Sequence, residues 1–191
     1  DPSKGVPGGQ PPAAQQLPLP LSALLRDCAL FVHGSTVATN TILERKGARG
    51  GLLTSAGFRD SLEIRRGIRE NQWDHRAPFP QVLAPRYLRL PVRGRIGADG
   101  REVAPLAGED VGAAAKVFTE EGVESVAVCL FNSFLDGAHE RAAGARLAKS
   151  WTGQWVSLSS EAMPTMGEYE RSSTAVVNAY IAPKVTSYLE A

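Results

Sequence analysis

The chain has 191 residues and 43% of them are hydrophobic, so it can bury a core in one domain or in two small ones. Lys and Arg number 21 against 20 Asp and Glu, and this net charge of +1 argues against nucleic-acid binding as the main role. No apolar run approaches the roughly 18 residues of a membrane span, so we expect no membrane association. The start does not resemble a signal peptide, and we expect a cytoplasmic protein.

The first part of the chain alternates between helical and strand patterns. Residues 1–16 are rich in Gly, Pro and Gln, which predicts a flexible connector and a chain that begins partway through a larger protein. "LPLSALLRDC" predicts a helix, "ALFV" a short strand, and "TVATNTILERKG" a helix that ends near Gly47. "RGGLLTS" predicts a strand and "AGFRDSLEIRRG" another helix. This alternation favours an α/β domain with parallel pairing over residues 17–70.

The second part predicts an α/β subdomain over residues 71–191. Several prolines follow residue 71, and "YLRLPVRGRIGADGREVAPL" then predicts two strands joined at Ala-Asp-Gly. "GEDVGAAAKVFTEEG" and "GAHERAAGARLAKSW" predict helices, and the apolar "VESVAVCLF" between them predicts a central parallel strand. "WVSLSS" predicts a strand, and the last helix is predicted to break or bend at Pro183. Together these elements predict a mixed sheet flanked by helices.

The cysteines, the histidines and the short motifs limit the kinds of functional site that the sequence can be expected to contain. Cys28 and Cys129 lie far apart in apolar runs, which favours buried free thiols over a disulfide and a reducing compartment. The three histidines are scattered, and the sequence has no CxxC or HExxH, so we expect no metal ligands in this chain. It also has no P-loop, GxGxxG or GxSxG motif.

Three stretches combine residue types that bind polar ligands. "HGST" at residues 33–36 predicts a strand end, a turn at a glycine and a helix start, which is either a capped helix or an anion site. "EIRRGIREN" places three arginines close together, either as a solvated charged turn or as cationic ligands. In "SLSSEAMPTMGEYERSST" polar residues follow a strand, where open α/β sheets bind ligands, although Glu168 and Arg171 are also spaced for a surface pair.

Three long segments carry a family resemblance. "VHGSTVATNTILERKGARGGLLTSAGFRDSLEIRRG", "GVESVAVCLFNSFLDGAHE" and "VSLSSEAMPTMGEYERSSTAVVNAYIAPKV" resemble, in order, segments of the hydantoinase A/5-oxoprolinase family. The likeness runs from about Leu30 to the C-terminus. "RRGIRENQWDHRAPFP" is most similar to the branch that contains the acetone and acetophenone carboxylases.

The resemblance implies a fold and an activity. It implies part of an actin-like ATPase (ribonuclease H-like) domain joined to an α/β subdomain, and an enzyme that uses ATP and Mg²⁺. Such enzymes hydrolyse a cyclic amide (hydantoin, 5-oxoproline or lactam) or carboxylate a ketone through phosphorylated intermediates. The family pattern includes a phosphate-binding "DxGGTxTD" stretch upstream of these segments, so we expect the isolated chain to be inactive.

The resemblance also implies partners and site residues. It implies a hydantoinase B-like subunit or domain as partner. The alternative is a non-catalytic assembly or scaffold subunit, in which the same motifs maintain fold and contacts. We predict a substrate or phosphate site that contains His33, Gly34, Ser35, Thr36, Asn40, Arg65, Arg66, Arg69, Glu168, Glu170 and Arg171. The resemblance supports this for "HGST", which it places at a cleft. It identifies no general base.

Overall fold

The structure, a computed structural model, describes residues 20–30, 34–69, 71, 73–74, 76–153 and 155–190. The chain divides into two compact units, one of Gly47–Pro183 and one of Asp1–Lys46 with Lys184–Ala191. The predicted connector at residues 1–16 and half of the predicted strand "ALFV" lie outside the described residues. Within the described part, every helix is too short or too polar to cross a membrane.

The smaller unit contains two short helices, α1 at Leu21–Asp27 and α2 at Val37–Leu43, and both confirm predicted helices. The hydroxyl of Ser35, which precedes the N-cap residue Thr36, accepts a hydrogen bond from the backbone N–H of Val37 at 3.2 Å, and this local turn is not a helix cap. Thr36 makes no such bond, and its hydroxyl instead accepts from the Asn40 amide at 3.3 Å.

A four-stranded parallel sheet forms the centre of the larger unit. Its strands are β1 at Gly50–Ser55, β2 at Arg89–Val92, β5 at Ser125–Cys129 and β6 at Trp155–Leu158, in the order β2-β1-β5-β6. Every residue of β1 and β5 is buried, which confirms the central parallel strand predicted from the apolar run at 123–131. Strands from both sides of residue 70 therefore share one sheet, and the domain boundary at that residue stays a prediction.

Helices cover both faces of the sheet, because successive strand residues point to opposite sides. The helices α4 at Gly108–Glu120 and α5 at Ala138–Ser150 cover one face, and α7 at Glu168–Leu189 covers the other. The core on the first face includes Leu53, Val126, Val128, Phe118 and Leu147. The core on the second face includes Leu52, Ala127, Cys129, Ala175 and Ala179. This arrangement confirms the predicted α/β class with flanking helices.

The predicted hairpin is present, but it is shorter than expected. β3 at Arg95–Ile96 pairs antiparallel with β4 at Glu102–Ala104 across the Ala-Asp-Gly turn. The preceding residues form β2 and join the parallel sheet instead. Parallel and antiparallel pairing therefore occupy separate sheets.

Three predicted elements end at different places. "AGFRDSLEIRRG" is helical only at Ser61–Ile64 (α3), because the next residue has a φ of 52° and cannot continue a right-handed helix. The last strand stops at Leu158, and Ser159–Ala162 forms the short helix α6. The last helix is not broken at Pro183, since α7 continues through that residue to Leu189, and the alternative of a bend there stays a prediction.

The expectation of two buried thiols holds for one cysteine. Cys129 is buried in the core behind the sheet and is a free thiol. Cys28 is also free but exposed, directly after α1, so the prediction that it is buried was wrong.

Candidate functional site

A cavity of about 530 Å³ lies where β1 ends, within the larger unit. Its walls are the loop after β1, the short helix α3 with the turn that follows it, and the start of α7. The carboxyl ends of parallel strands are where open α/β sheets bind ligands. Its charged lining residues are Asp60, Arg65, Arg66, Glu168 and Glu170. Four of these five were predicted as site residues.

Arg66 and Glu170 form an ion pair across the cavity wall. The guanidinium Nε donates to the Glu170 carboxylate at 2.5 Å, although the two residues are 104 positions apart. This hydrogen bond is the main cause that lowers the pKa of Glu170, so its carboxylate is ionised at neutral pH. The Arg66 side chain is 70% exposed, so its remaining N–H groups face solvent or a ligand.

Arg65 has an unusual backbone at the cavity edge. Its φ of 52° and ψ of −126° lie outside the regions that side-chain-bearing residues commonly adopt. Strain of this kind persists where the surrounding structure enforces it, and it concentrates at functional sites. Arg65 and Arg69 would share one helix face only if the helix continued past them, and α3 ends before both.

Glu168 lies in the opposite wall of the cavity, and a buried arginine fixes its carboxylate by a hydrogen bond. Its Oε2 accepts a hydrogen bond from the Arg171 guanidinium at 2.9 Å. The Arg171 side chain is fully buried, so the two residues are not the surface pair that their spacing allowed. The same guanidinium donates to the hydroxyl of Ser133 and to the carbonyl of Leu130, both in the loop after β5.

A buried carboxylate, Glu140, continues this network beneath the site. It is fully buried on α5 and accepts four hydrogen bonds from the loops after β5 and β6. The donors are the N–H groups of Leu130 and Ser160 and the hydroxyls of Ser133 and Ser159. Sequence reasoning missed Glu140, because glutamate is seldom buried. The available signal was its place at the end of the family-like segment "NSFLDGAHE".

The other predicted site residues lie elsewhere. Arg69 does not line the cavity, and its guanidinium carbon lies 5.2 Å from the centre of the Phe79 ring. Gly34, Ser35, Thr36 and Asn40 are exposed in the smaller unit, and His33 lies outside the described residues. Their assignment to a ligand site stays a prediction.

A second cavity of about 290 Å³ adjoins the first and is mainly apolar. Arg65 and Tyr169 line both cavities. Across the described residues, no group of three or more His, Cys, Asp or Glu side chains is placed to hold a metal ion. The arginine and carboxylate groups that line the larger cavity can form hydrogen bonds and ion pairs with a polar ligand.

The larger unit is an open parallel α/β sheet with a polar cavity at the edge where such sheets commonly bind ligands. The sequence model of one protein family, described as the hydantoinase/oxoprolinase N-terminal region, matches residues 22–150. The chain therefore belongs to this family. It is 39% identical over 169 residues to caprolactamase subunit alpha of Pseudomonas jessenii, covering 87% of this chain and 24% of that protein. It is 33% identical over 178 residues to the acetophenone carboxylase gamma subunit of Aromatoleum aromaticum, covering 85% and 24%.

Solved structures agree with this assignment. The crystal structure of the ATP-dependent caprolactamase from Pseudomonas jessenii superposes with a TM-score of 0.84 at 37% identity, covering 97% of this chain and 27% of that one. A nucleotide-free acetone carboxylase gives a TM-score of 0.69 at 21% identity, covering 81% and 24%, and supports the fold alone. The chain therefore spans about a quarter of the length of these relatives.

Proposed function

We propose that the protein containing this chain uses ATP to hydrolyse a cyclic amide, as a hydantoinase/oxoprolinase-type enzyme. The supporting observation is that one cavity collects Arg66 from the first family-like segment and Glu168 and Glu170 from the last. The 39% identity to a caprolactamase subunit supports a lactam or a related ring as the substrate.

The lining chemistry suits a neutral polar ligand. Arg66 offers N–H donors to a carbonyl or phosphoryl oxygen, which a planar guanidinium binds well. Glu168 offers a carboxylate acceptor at the other wall. An amide carries one acceptor and one donor side by side, so it can contact both walls at once.

ATP and Mg²⁺ enter this proposal from the family resemblance. The described residues contain no three-ligand metal cluster, and we assign no step of the reaction to the nucleotide. We further propose a hydantoinase B-like partner and a cytoplasmic location. Relatives named as subunits, caprolactamase alpha and acetophenone carboxylase gamma, support a multi-subunit enzyme.

Carboxylation of a ketone is the second candidate. The 33% identity to an acetophenone carboxylase subunit favours it, and Arg66 would bind a carboxylate or an enolate oxygen in the same cavity. A non-catalytic scaffold role is the third possibility, in which the cavity binds no substrate.

The test is phosphate release and product formation by the complete protein with its partner subunit. The substrate panel contains hydantoin, 5-oxoproline, caprolactam and acetophenone with bicarbonate. We expect turnover of at least one cyclic amide and a loss of tenfold or more in Arg66→Ala, with little change in melting temperature. Arg93→Ala, which removes an exposed arginine away from the cavity, serves as the matched control.

The substrate panel separates the three candidate functions, and Arg66→Ala tests the role of the cavity. Turnover of acetophenone alone would favour the carboxylase. Full amide turnover by Arg66→Ala would remove this cavity from the mechanism. No turnover of any substrate, by a complex that is folded and assembled, would support the scaffold role.

A further inference from the structure

Glu168 lines the cavity, and one of its two carboxylate oxygens already accepts a hydrogen bond from an arginine. Oε2 is bound by Arg171 at 2.9 Å, and the side chain is 20% exposed. No residue in the described part of the chain donates a hydrogen bond to Oε1. The residue lines the cavity, so this oxygen is available to a hydrogen-bond donor on a ligand.

Arg171 fixes the direction of that carboxylate. Its guanidinium contacts the Leu130 carbonyl, the Ser133 hydroxyl and Glu168, and its carbon lies 5.6 Å from the centre of the Phe134 ring. A side chain held at four points cannot rotate without breaking several buried contacts. Glu168 is thereby aimed at the cavity before any ligand enters.

The anchor of Arg171 is itself fixed by Glu140. Ser133 donates to Glu140 at 2.6 Å and accepts from Arg171, which links the two buried charges through one hydroxyl. Glu140 also binds the backbone N–H of Leu130 at 2.8 Å, next to the carbonyl that Arg171 uses. The network is therefore a rigid support for one exposed oxygen, since removing any member leaves another buried polar group without a partner.

We propose that Glu168 is the specificity-determining acceptor that recognises the N–H of an amide ligand, and that Arg171 is the positioning residue that holds it. This inference rests on the proposed cyclic-amide function. A fixed carboxylate favours a ligand with an N–H group at that point and disfavours one without it. A site built to hydrogen-bond an N–H discriminates against an analogue that lacks it, because such an analogue displaces water from the carboxylate without pairing it.

The test compares two probes, caprolactam and N-methylcaprolactam, on the complete protein with its partner subunit. The readout is the ratio of their kcat/KM values. A variant that only lowers the folded fraction reduces both rates equally and leaves this ratio unchanged. We expect the wild type to prefer caprolactam by tenfold or more.

Glu168→Gln removes the acceptor at nearly constant shape. The amide oxygen of the new side chain would face Arg171, and its NH₂ group would face the ligand N–H, donor against donor. We expect the ratio to fall at least tenfold. Glu109→Gln is the matched control, because Glu109 is also a first-turn glutamate paired with an arginine but lies outside the cavity.

Arg171→Lys tests the positioning role, because lysine keeps the charge but cannot reach all three acceptors. We expect the same loss of preference as in Glu168→Gln. An unchanged ratio in Glu168→Gln, or a wild-type ratio near one, would overturn the proposal while leaving the amide hydrolase intact. An unchanged ratio in Arg171→Lys would overturn its positioning role. If the wild type opens no cyclic amide, the proposed function fails and this inference fails with it.

Discussion

Two arginines of the larger unit make similar contacts in opposite surroundings. Arg171 is fully buried and binds Glu168, Ser133 and Leu130. Arg93 is 66% exposed and binds Glu109 and Asp110, the latter at 2.7 Å. When the Arg93 pairs are broken, the carboxylates of Glu109 and Asp110 can hydrogen-bond to water. The buried groups that Arg171 binds, the Ser133 hydroxyl and the Leu130 carbonyl, cannot. Equal hydrogen-bond geometry therefore does not mean equal contribution to stability.

The position of each cluster matches this difference. The buried cluster ties together the loops after β5 and β6, and these loops lie at the carboxyl edge of the sheet. The exposed cluster, formed by Arg93, Glu109 and Asp110, lies at the start of α4. Its two carboxylates interact favourably with the positive end of the helix dipole. Burying a charge costs desolvation free energy, so we infer that the buried cluster is present because it holds the geometry of the site.

The largest effect is expected from Glu140→Ala. The change removes the acceptor of the Leu130 and Ser160 N–H groups and of the Ser133 and Ser159 hydroxyls, and it leaves the buried Arg171 guanidinium without the carboxylate next to its anchor. The free energy of unfolding should therefore fall by more than about 3 kcal/mol. Urea unfolding of the variant measures this fall. Glu140→Gln keeps one acceptor oxygen and should lose less. A fall below about 1 kcal/mol in Glu140→Ala would remove the distinction between the two clusters.

The two cysteines extend the comparison from charges to thiols. Burial is the main cause that raises the pKa of Cys129 to about 11, so at pH 8 only about 0.1% of it is thiolate. Only the thiolate reacts with alkylating reagents, and Cys28 is exposed. Iodoacetamide should therefore add one group to the native chain, at Cys28, and two after unfolding. Mass spectrometry that finds two groups on the native chain would contradict this.

The smallest effect is expected from Asp110→Asn. The Arg93 hydrogen bond lowers the pKa of Asp110 to about 2. Because the folded pKa lies below the unfolded value of about 3.9, the stabilisation is complete above pH 4 and disappears as the pH falls through 2. The variant should melt slightly below the wild type at pH 7, with the difference vanishing near pH 2. A difference that grows on acidification would reverse the assignment.

Most of the fold could be predicted from the sequence. The apolar runs of β1 and β5 predict central parallel strands, and the helical spacing of α4 and α5 predicts the covering layer. The end of α3 could not be predicted. It depends on one left-handed residue, Arg65, whose side chain gives no local sign of that conformation.

The candidate site could be predicted in part. The family-like segments named Arg65, Arg66, Glu168 and Glu170, and the structure places these four around one cavity. Arg171 was predicted as a site residue because it follows the polar residues after a strand, and its full burial, which depends on the loop after β5, could not be predicted. Glu140 was missed because local pattern cannot reveal a tertiary pocket of four donors.

The strand order also has a consequence for the chain while it is being synthesised on the ribosome. β1 pairs on one side with β5, whose first residue lies 70 positions after the last residue of β1. At about 5–20 residues per second, a ribosome makes that intervening segment in roughly 4–14 seconds. During this time the backbone N–H and C=O groups on one edge of β1 have no native partner. The nascent chain therefore carries an unpaired strand edge next to apolar side chains, which is a hazard for aggregation and a natural binding site for chaperones.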